Sequence, residues 1–485
     1  MMRIIKAFKK LIILLYSLSI LGANSVAQEK ENLPELGDAS SSAISTNTEH
    51  ILGRFWLAQM RRGFPQINDA ITNDYLKHLI YKLSEYSQLQ DRRLELIIIN
   101  DPAINAFAAP GGIIGINGGL INEAKTESQL ASVLSHELAH LSQRHFARNL
   151  QRQQDRGLAN AFIILASIAV AAASSPEAIM AGQQVLAQQA LAYSRTNEQE
   201  ADRIGFLNLT SAGFNPEGMP NMFRKLQELS RLSGRENLEF LRSHPITKSR
   251  ISDSQNRVNE LNKSNYKESL DYDLIKQRMR VHFSKNTRQP IFHFKQSLRK
   301  SKLKEDILIS NYGLALSFSK DNQHSQALAS IRKALALNPT NLILQTTLLE
   351  IHFKAGHLLE ATALGRELLG INTKNYPLSL LYAKILMNKG NYEEAENILK
   401  NLLPERTSDP IVWYWLAEIQ GLAKNTISLH RSRAEYFALI ARYDEAIKHL
   451  RYALELVGNN FQLTEGIQSR IESLHKTKRD IKELT

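Results

Sequence analysis

Two structural regimes are predicted along this chain: a mostly α domain with a small β-sheet (α+β), then an all-α repeat solenoid. Three observations carry the prediction. His136-Glu137-Leu138-Ala139-His140 lies inside a strongly helical stretch, β-branched runs between positions 94 and 117 read as strands, and Ala327, Ala361 and Ala395 recur at one constant interval.

Residues 1–27 have the three parts of a secretory signal: basic Arg3, Lys6, Lys9 and Lys10, apolar Leu11–Leu21, and the small-residue site Ser25-Val26-Ala27. The apolar core is too short for a bilayer span, so cleavage near Ala27 is expected. Cysteine is absent, which excludes a lipoprotein anchor, disulfides and thiolate metal ligands. Losing the signal lowers the formal charge from +12 to about +8. No basic block has the aromatic interleaving of a nucleic-acid surface; the charge suits acidic partners or peripheral contact with an anionic membrane.

Leu94–Ile99, Ile104–Ala109 and Ile113–Asn117 read as strands around a Pro110-Gly111-Gly112 turn. The edge Asn105, Ala106, Phe107, Ala108 could add an extended peptide to the sheet, or the hairpin could bury Phe107 as core. Both can hold.

A helix follows. Thr126-Glu127-Ser128-Gln129 has the form of a capping box, and Leu130, Val133, Leu134, Leu138 and Leu141 give an apolar stripe. His136 and His140, four apart, share a face and can hold one metal, while Glu137 lies about 100° round the helix, placed for a water. That is the start of a zinc-hydrolase site. The alternative is a pair of surface histidines. Leu158–Ala173 is nearly all apolar; as a helix it covers about 24 Å, short of a membrane core. It reads as a buried or lid helix in preference to a membrane-contacting one.

Zinc still needs a third protein ligand. Glu198 and Asp202 in Asn197-Glu198-Gln199-Glu200-Ala201-Asp202 again share a helix face, with small Ala201 allowing close packing. Spacing alone does not separate Glu198 from Glu200, which points elsewhere on the helix.

These motifs, with Asn105-Ala106-Phe107-Ala108-x-Pro110-Gly111-Gly112 and His244-Pro245-x-x-x-x-Arg250, resemble the gluzincin family of zinc metalloproteases. That family includes CAAX-processing membrane proteases and their bacterial heat-shock relatives. The resemblance implies a gluzincin-type fold, one Zn2+ per chain held by His136, His140 and Glu198, Glu137 as catalytic base, and Asp202 orienting a ligand histidine. It makes His244 either a fourth zinc ligand keeping the enzyme latent or a transition-state donor; a histidine in a His-Pro loop is otherwise a surface residue. Arg250 reads as the anchor pinning this loop to a carboxylate.

Ser264–Lys300 is charged, contains a helix around Leu270–Phe283, and reads as a connector. Beyond it the interval between the alanines, about 34 residues, is that of tetratricopeptide repeats. Leu314, Phe318, Ala327, Ile331 and Ala334 fill repeat one; Leu348, Gly356 and Ala361 repeat two; Tyr382, Gly390, Ala395 and Leu399 repeat three. A fourth begins at Trp413, Leu416 and Ala417 and then loses register, and a shifted repeat resumes at Ala434, Phe437, Ala446, Leu450 and Ala453. The expected domains are signal 1–27, protease 28–262, connector 263–307 and repeats 308–485 with terminal capping helices.

The resemblance implies a periplasmic zinc endopeptidase in quality control of outer-membrane β-barrel proteins, degrading stalled or misassembled ones and assisting assembly. The implied partners are those unfolded clients and the barrel-assembly machinery, met through the repeats, with no nucleic acid. The rival function is a chaperone or assembly factor whose repeats bind clients beside a largely latent zinc site.

Overall fold

The computed structural model describes residues 44–152, 194–233, 239–262 and 265–484. The signal segment and Leu158–Ala173 lie outside the described residues.

Helices α1 (Thr46–Gly63) and α2 (Ala70–Ser84) begin at capping side chains. Ser45 accepts from the Thr48 amide, and Asp69 from the Ile71 and Thr72 amides. Strands β1 (Glu95–Ile99), β2 (Ala106–Ala109) and β3 (Ile113–Asn117) form a sheet ordered β1-β3-β2, with β1 parallel and β2 antiparallel to β3. Gly111 and Gly112, at φ 77° and 79°, make the turn between β2 and β3. Alternation along the strands feeds two cores. Ile98, Ile114 and Ile116 face one; Ile97, Ile99, Phe107 and Ile113 face the other. Phe107 lies across Gly115, where a Cβ would stand 1.9 Å from its ring, and meets Trp56 edge-on at 5.6 Å. Phe107 is therefore core.

A short helix α3 (Gly118–Glu123) leads to α4 (Glu127–Ser142), which carries the His-Glu-Leu-Ala-His motif. Thr126 accepts from the Gln129 amide as a capping box requires, but the Gln129 side chain reaches one residue further back, to the Lys125 amide at 2.7 Å. From Ser128 to His140 every residue of α4 is buried. The two histidines are therefore not a surface pair. After α5 (His145–Arg152), the protease region continues through α6 (Arg195–Ser211), α7 (Gly218–Ser233), α8 (Glu239–Ser243) and α9 (Lys248–Glu260). Helix α6 packs on α4 along small residues. Ala139, Ala201 and Ile204 form a buried cluster, and a Cβ on Gly205 would stand 3.0 Å from His136 Cα.

The connector is α10 (Leu270–Phe283), the helix expected there, and α11 (Arg288–Lys300). It is built into both neighbours. The Tyr272 hydroxyl lies 3.1 and 2.9 Å from the Ile121 and Ala124 carbonyls of the protease region. Buried Arg278 donates to Asp69 at the start of α2 and to Thr347 and Glu350 of the repeats. Further along, Arg406 pairs with Asp74 of α2.

Five helix pairs follow: α12 (Lys304–Lys320) with α13 (His324–Leu337), α14 (Leu342–Lys354) with α15 (Leu358–Ile371), and α16 (Tyr376–Asn388) with α17 (Tyr392–Lys400). After a short α18 (Leu403–Arg406) come α19 (Pro410–Leu422) with α20 (Thr426–Leu439), and α21 (Tyr443–Leu456) with the long α22 (Phe461–Leu484). Ala327, Ala361 and Ala395 are fully buried between helices, as their spacing predicts. The expected loss of register after Ala417 does not occur. Left-handed turn residues Asn322, Gly356, Gly390, Lys424 and Gly458 recur at the same interval as the alanines through all five pairs. The break is one of residue type: the slots after Ala395 hold Leu429 and Leu463, both half-buried.

Candidate metal centre

Helix α4 supplies His136, Glu137 and His140; α6 supplies Glu198 and Asp202; the turn after α8 supplies His244; α9 supplies Arg250. Thr247 caps α9 by accepting from the Arg250 amide, which aims the Arg250 side chain back at α6. The seam of Ala139, Ala201 and Gly205 lets α6 bring its carboxylates against the two histidines.

The facing atoms have the dimensions of a metal cage. His136 Nε2 lies 3.0 Å from His140 Nε2, 3.5 Å from Glu198 Oε2 and 3.4 Å from His244 Nδ1. Glu198 Oε1 lies 3.4 Å from His140 Nε2 and 3.0 Å from His244 Nδ1. A tetrahedral zinc with bonds of 2.0–2.1 Å needs ligand atoms about 3.3 Å apart, and taking Glu198 Oε1 as the carboxylate ligand, the four distances among these atoms fall close to that. All four side chains are buried and offer ligand atoms within 4.8 Å of one another. Nitrogen and carboxylate donors without thiolate suit zinc, and Glu198 and Glu137 bring buried carboxylates to it. The residues present fit the metal.

The charge balance of the centre suits a cation. Burial disfavours a charged His136, yet Asp202 and Glu198 raise it to about 9. Burial carries His140 well below the usual histidine range. It works against the Glu198 and Asp202 carboxylates too, but His244 and His136 hold Glu198 down, and His136 with Arg250 holds Asp202 down. Burial raises Glu137 despite nearby His244 and His136. A carboxyl poised upward is the property of a general base working near neutral pH.

Asp202 Oδ1 lies 3.0 Å from His136 Nδ1, the outer nitrogen. Arg250 grips Asp202 with Nε at 2.6 Å and Nη2 at 2.7 Å, reaches Glu198 Oε2 with Nη1 at 2.9 Å, and donates to the Pro245 carbonyl at 2.9 Å. The expected loop anchor thus ties the His244 loop to two carboxylates at once. His244 is 1% exposed; its Nδ1 faces the cage and its Nε2 lies 3.5 Å from Glu137 Oε1. Asn105, Ala106, Phe107 and Ala108 stand beside α4 on edge strand β2, or just before it, and all four are buried. Sequence reasoning missed His145, whose Nδ1 is 2.7 Å from His140 Nδ1, and the bond it makes to Glu200. No local pattern in the sequence marks that contact, which depends on the left-handed turn at Arg144 after α4.

A buried His-Glu-x-x-His helix crossed by a second helix bearing a glutamate and an aspartate defines a zinc metalloendopeptidase. Residues 70–258 match Peptidase family M48 and residues 352–419 match Tetratricopeptide repeat. The chain is 30% identical over 469 residues to the Beta-barrel assembly-enhancing protease of Escherichia coli, spanning 96% of this chain and 95% of that one. It is 30% identical over 448 residues to its counterpart from Yersinia pestis, spanning 90% and 91%. Against Mitochondrial metalloendopeptidase OMA1 of Schizosaccharomyces pombe the match is 29% over 180 residues, 37% of this chain and 51% of that one. The chain belongs to the M48 zinc metalloendopeptidases, in the branch of the β-barrel assembly-enhancing proteases. Among the described residues, no helix is long and apolar enough to cross a membrane.

Proposed function

We propose that this protein is a latent zinc endopeptidase of the periplasm that removes stalled or misassembled outer-membrane β-barrel proteins and assists assembly of the rest. His136, His140 and Glu198 would hold the zinc, with His244 as a further ligand that keeps the site latent. Bound zinc supplies Lewis acidity, which makes water nucleophilic at neutral pH and polarises a peptide carbonyl. Glu137 accepts the proton of the attacking water and delivers it to the leaving amine nitrogen. Asp202 fixes the His136 ring through Nδ1, and Arg250 holds Asp202, Glu198 and the His244 loop in register. Substrate main chain lies along Asn105–Ala108 once that edge is uncovered.

One observation carries the latency: His244 Nδ1 completes the cage while Nε2 faces Glu137, so the ring fills the space where water and substrate meet the base. Likeness to relatives named for β-barrel assembly supports the substrate class, the periplasmic location and contact with the assembly machinery through the repeats. Residues 1–27 are read as the export signal.

The test compares wild type, His244→Ala and Glu137→Gln on an unstructured polypeptide at equal zinc loading. Faster cleavage by His244→Ala and none by Glu137→Gln is expected. Slower cleavage by His244→Ala overturns the plug and makes His244 a transition-state donor. A second reading, primarily a chaperone whose repeats bind clients, is favoured by the burial of the whole centre, Glu137 being wholly inaccessible. It predicts that Glu137→Gln restores barrel assembly to cells lacking the protein.

A further inference from the structure

The ring of His140 has two nitrogens with different surroundings. Nε2 faces the cage, 3.0 Å from His136 Nε2, and Nδ1 faces away from it, 2.7 Å from His145 Nδ1. Two ring nitrogens at that distance share one hydrogen; two hydrogens would clash and none would set lone pair against lone pair. His145 Nε2 in turn lies 3.1 Å from Glu200 Oε2, and Arg148 Nη1 lies 2.9 Å from the same oxygen. Arg148 can only donate, so Glu200 accepts from both sides.

The direction of every bond follows. Glu200 accepts, so His145 carries its hydrogen on Nε2. A neutral His145 then presents a lone pair at Nδ1, and His140 donates to it from its own Nδ1. That leaves the lone pair of His140 on Nε2, facing the cage.

We propose that His145 and Glu200, backed by Arg148, are positioning residues that hold His140 in the tautomer able to bind the metal through Nε2. The proposal rests on His140 being a zinc ligand. It gives the second ligand the support that Asp202 and Arg250 give His136. Each chain of bonds ends in an arginine, but the one behind His140 is longer by a histidine.

The backbone is arranged for this contact. Arg144, just after α4, adopts the left-handed region at φ 50°, a conformation that disfavours a non-glycine residue. Its side chain is held by Glu49 Oε2 at 3.2 Å and the Ile44 carbonyl at 2.7 Å. The turn swings α5 back so that its first residue, His145, meets His140 with ring centroids 4.8 Å apart. His145 is wholly buried, which shields the bond from water.

The test measures zinc affinity of the full chain by competition with a chromophoric chelator at one pH. His145→Ala and Glu200→Ala should each weaken zinc about 10–100-fold. His145→Asn should recover most of the loss, because its amide oxygen stands where Nδ1 stood. Glu200→Gln retains an acceptor oxygen and should lose less than Glu200→Ala. Thermal unfolding of the metal-free proteins should not follow this ranking. Affinity within twofold of wild type in His145→Ala, with His140→Ala having lost zinc, overturns the relay alone. Equal weakening in His145→Ala and His145→Asn overturns it in favour of packing. Wild-type affinity in His140→Ala overturns the ligand assignment and the relay together.

Discussion

Two of the histidine pairs among the described residues, one in the metal centre and one in the repeats, have opposite neighbours. In the metal centre His136 has the Asp202 carboxylate 3.0 Å from one nitrogen and Glu198 3.5 Å from the other. In the repeats, His430 of α20 and His449 of α21 face each other through Nδ1 at 2.8 Å, with Phe437 stacked on His449 at 5.3 Å. The charged groups acting on that second pair are Arg433 and Lys448. Carboxylates around the first pair favour a cation; cations around the second repel one. His136 is raised to about 9, although burial opposes it, and His449 is lowered to about 4, burial leading and His430 and Arg433 adding to it. The residue type is the same, and the neighbours decide what it does.

The largest expected effect breaks that comparison at its centre. Glu198→Gln removes the charge that draws metal between the histidines, so bound zinc should fall from one per chain towards zero and cleavage with it. His449→Gln should leave one zinc in place. Metal analysis of the purified variants checks both, and zinc lost equally from the two would end the contrast.

Arg250→Ala tests the other half of the electrostatics. It leaves Glu198 and Asp202 buried without the guanidinium they share, and breaking such a pair costs about 3–5 kcal/mol. Urea unfolding of the metal-free protein should show that loss, and added zinc should restore part of it by supplying positive charge to the same carboxylates. A variant as stable as wild type without metal would mean that solvent already screens this cluster.

Much of the centre was legible in the sequence because helical geometry is local. The i, i+4 spacing of His136 and His140, and of Glu198 and Asp202, survives folding whatever surrounds the helices. Choosing Glu198 over Glu200 required the resemblance, and the two indeed serve different histidines. The His145 bond was not legible, because it depends on Arg144 adopting a left-handed turn that favours glycine. The same cause hid the last repeats. Their period persists in turn geometry, but Lys424 and Leu429 occupy positions where earlier repeats have glycine and alanine.

The repeat slots give the next effect in size. Ala361 is wholly inaccessible, and Leu in its place overpacks the helix pair, costing about 1–3 kcal/mol. Ala361→Leu should therefore lower the urea midpoint with zinc content unchanged. At the corresponding half-buried Leu429, a Cβ on exposed Gly421 would make only an ordinary contact, 3.7 Å from Leu429 Cδ1. Gly421→Ala should therefore not lower the midpoint. Tolerance at Ala361 would show that the helix pairs are spaced by something other than these side chains.

The smallest effect concerns acid. His449 is lowered to about 4 in the fold, by burial first and then by His430, Arg433 and Lys448, against 6.5 for an ordinary histidine. Between those values the unfolded chain binds more protons than the folded one, so stability falls as pH drops from 6.5 towards 4. The half-exposed position of the pair lets solvent soften the loss. His449→Leu removes the proton site while keeping an apolar neighbour for Phe437. The variant should lose less stability than wild type between pH 7 and pH 5 in matched urea titrations. Because the zinc site is the same in both proteins, its own acid sensitivity cancels in the difference. Parallel loss in the two would show that His449 contributes nothing to the acid response, and these two histidine pairs would then differ in metal binding but not in their answer to pH.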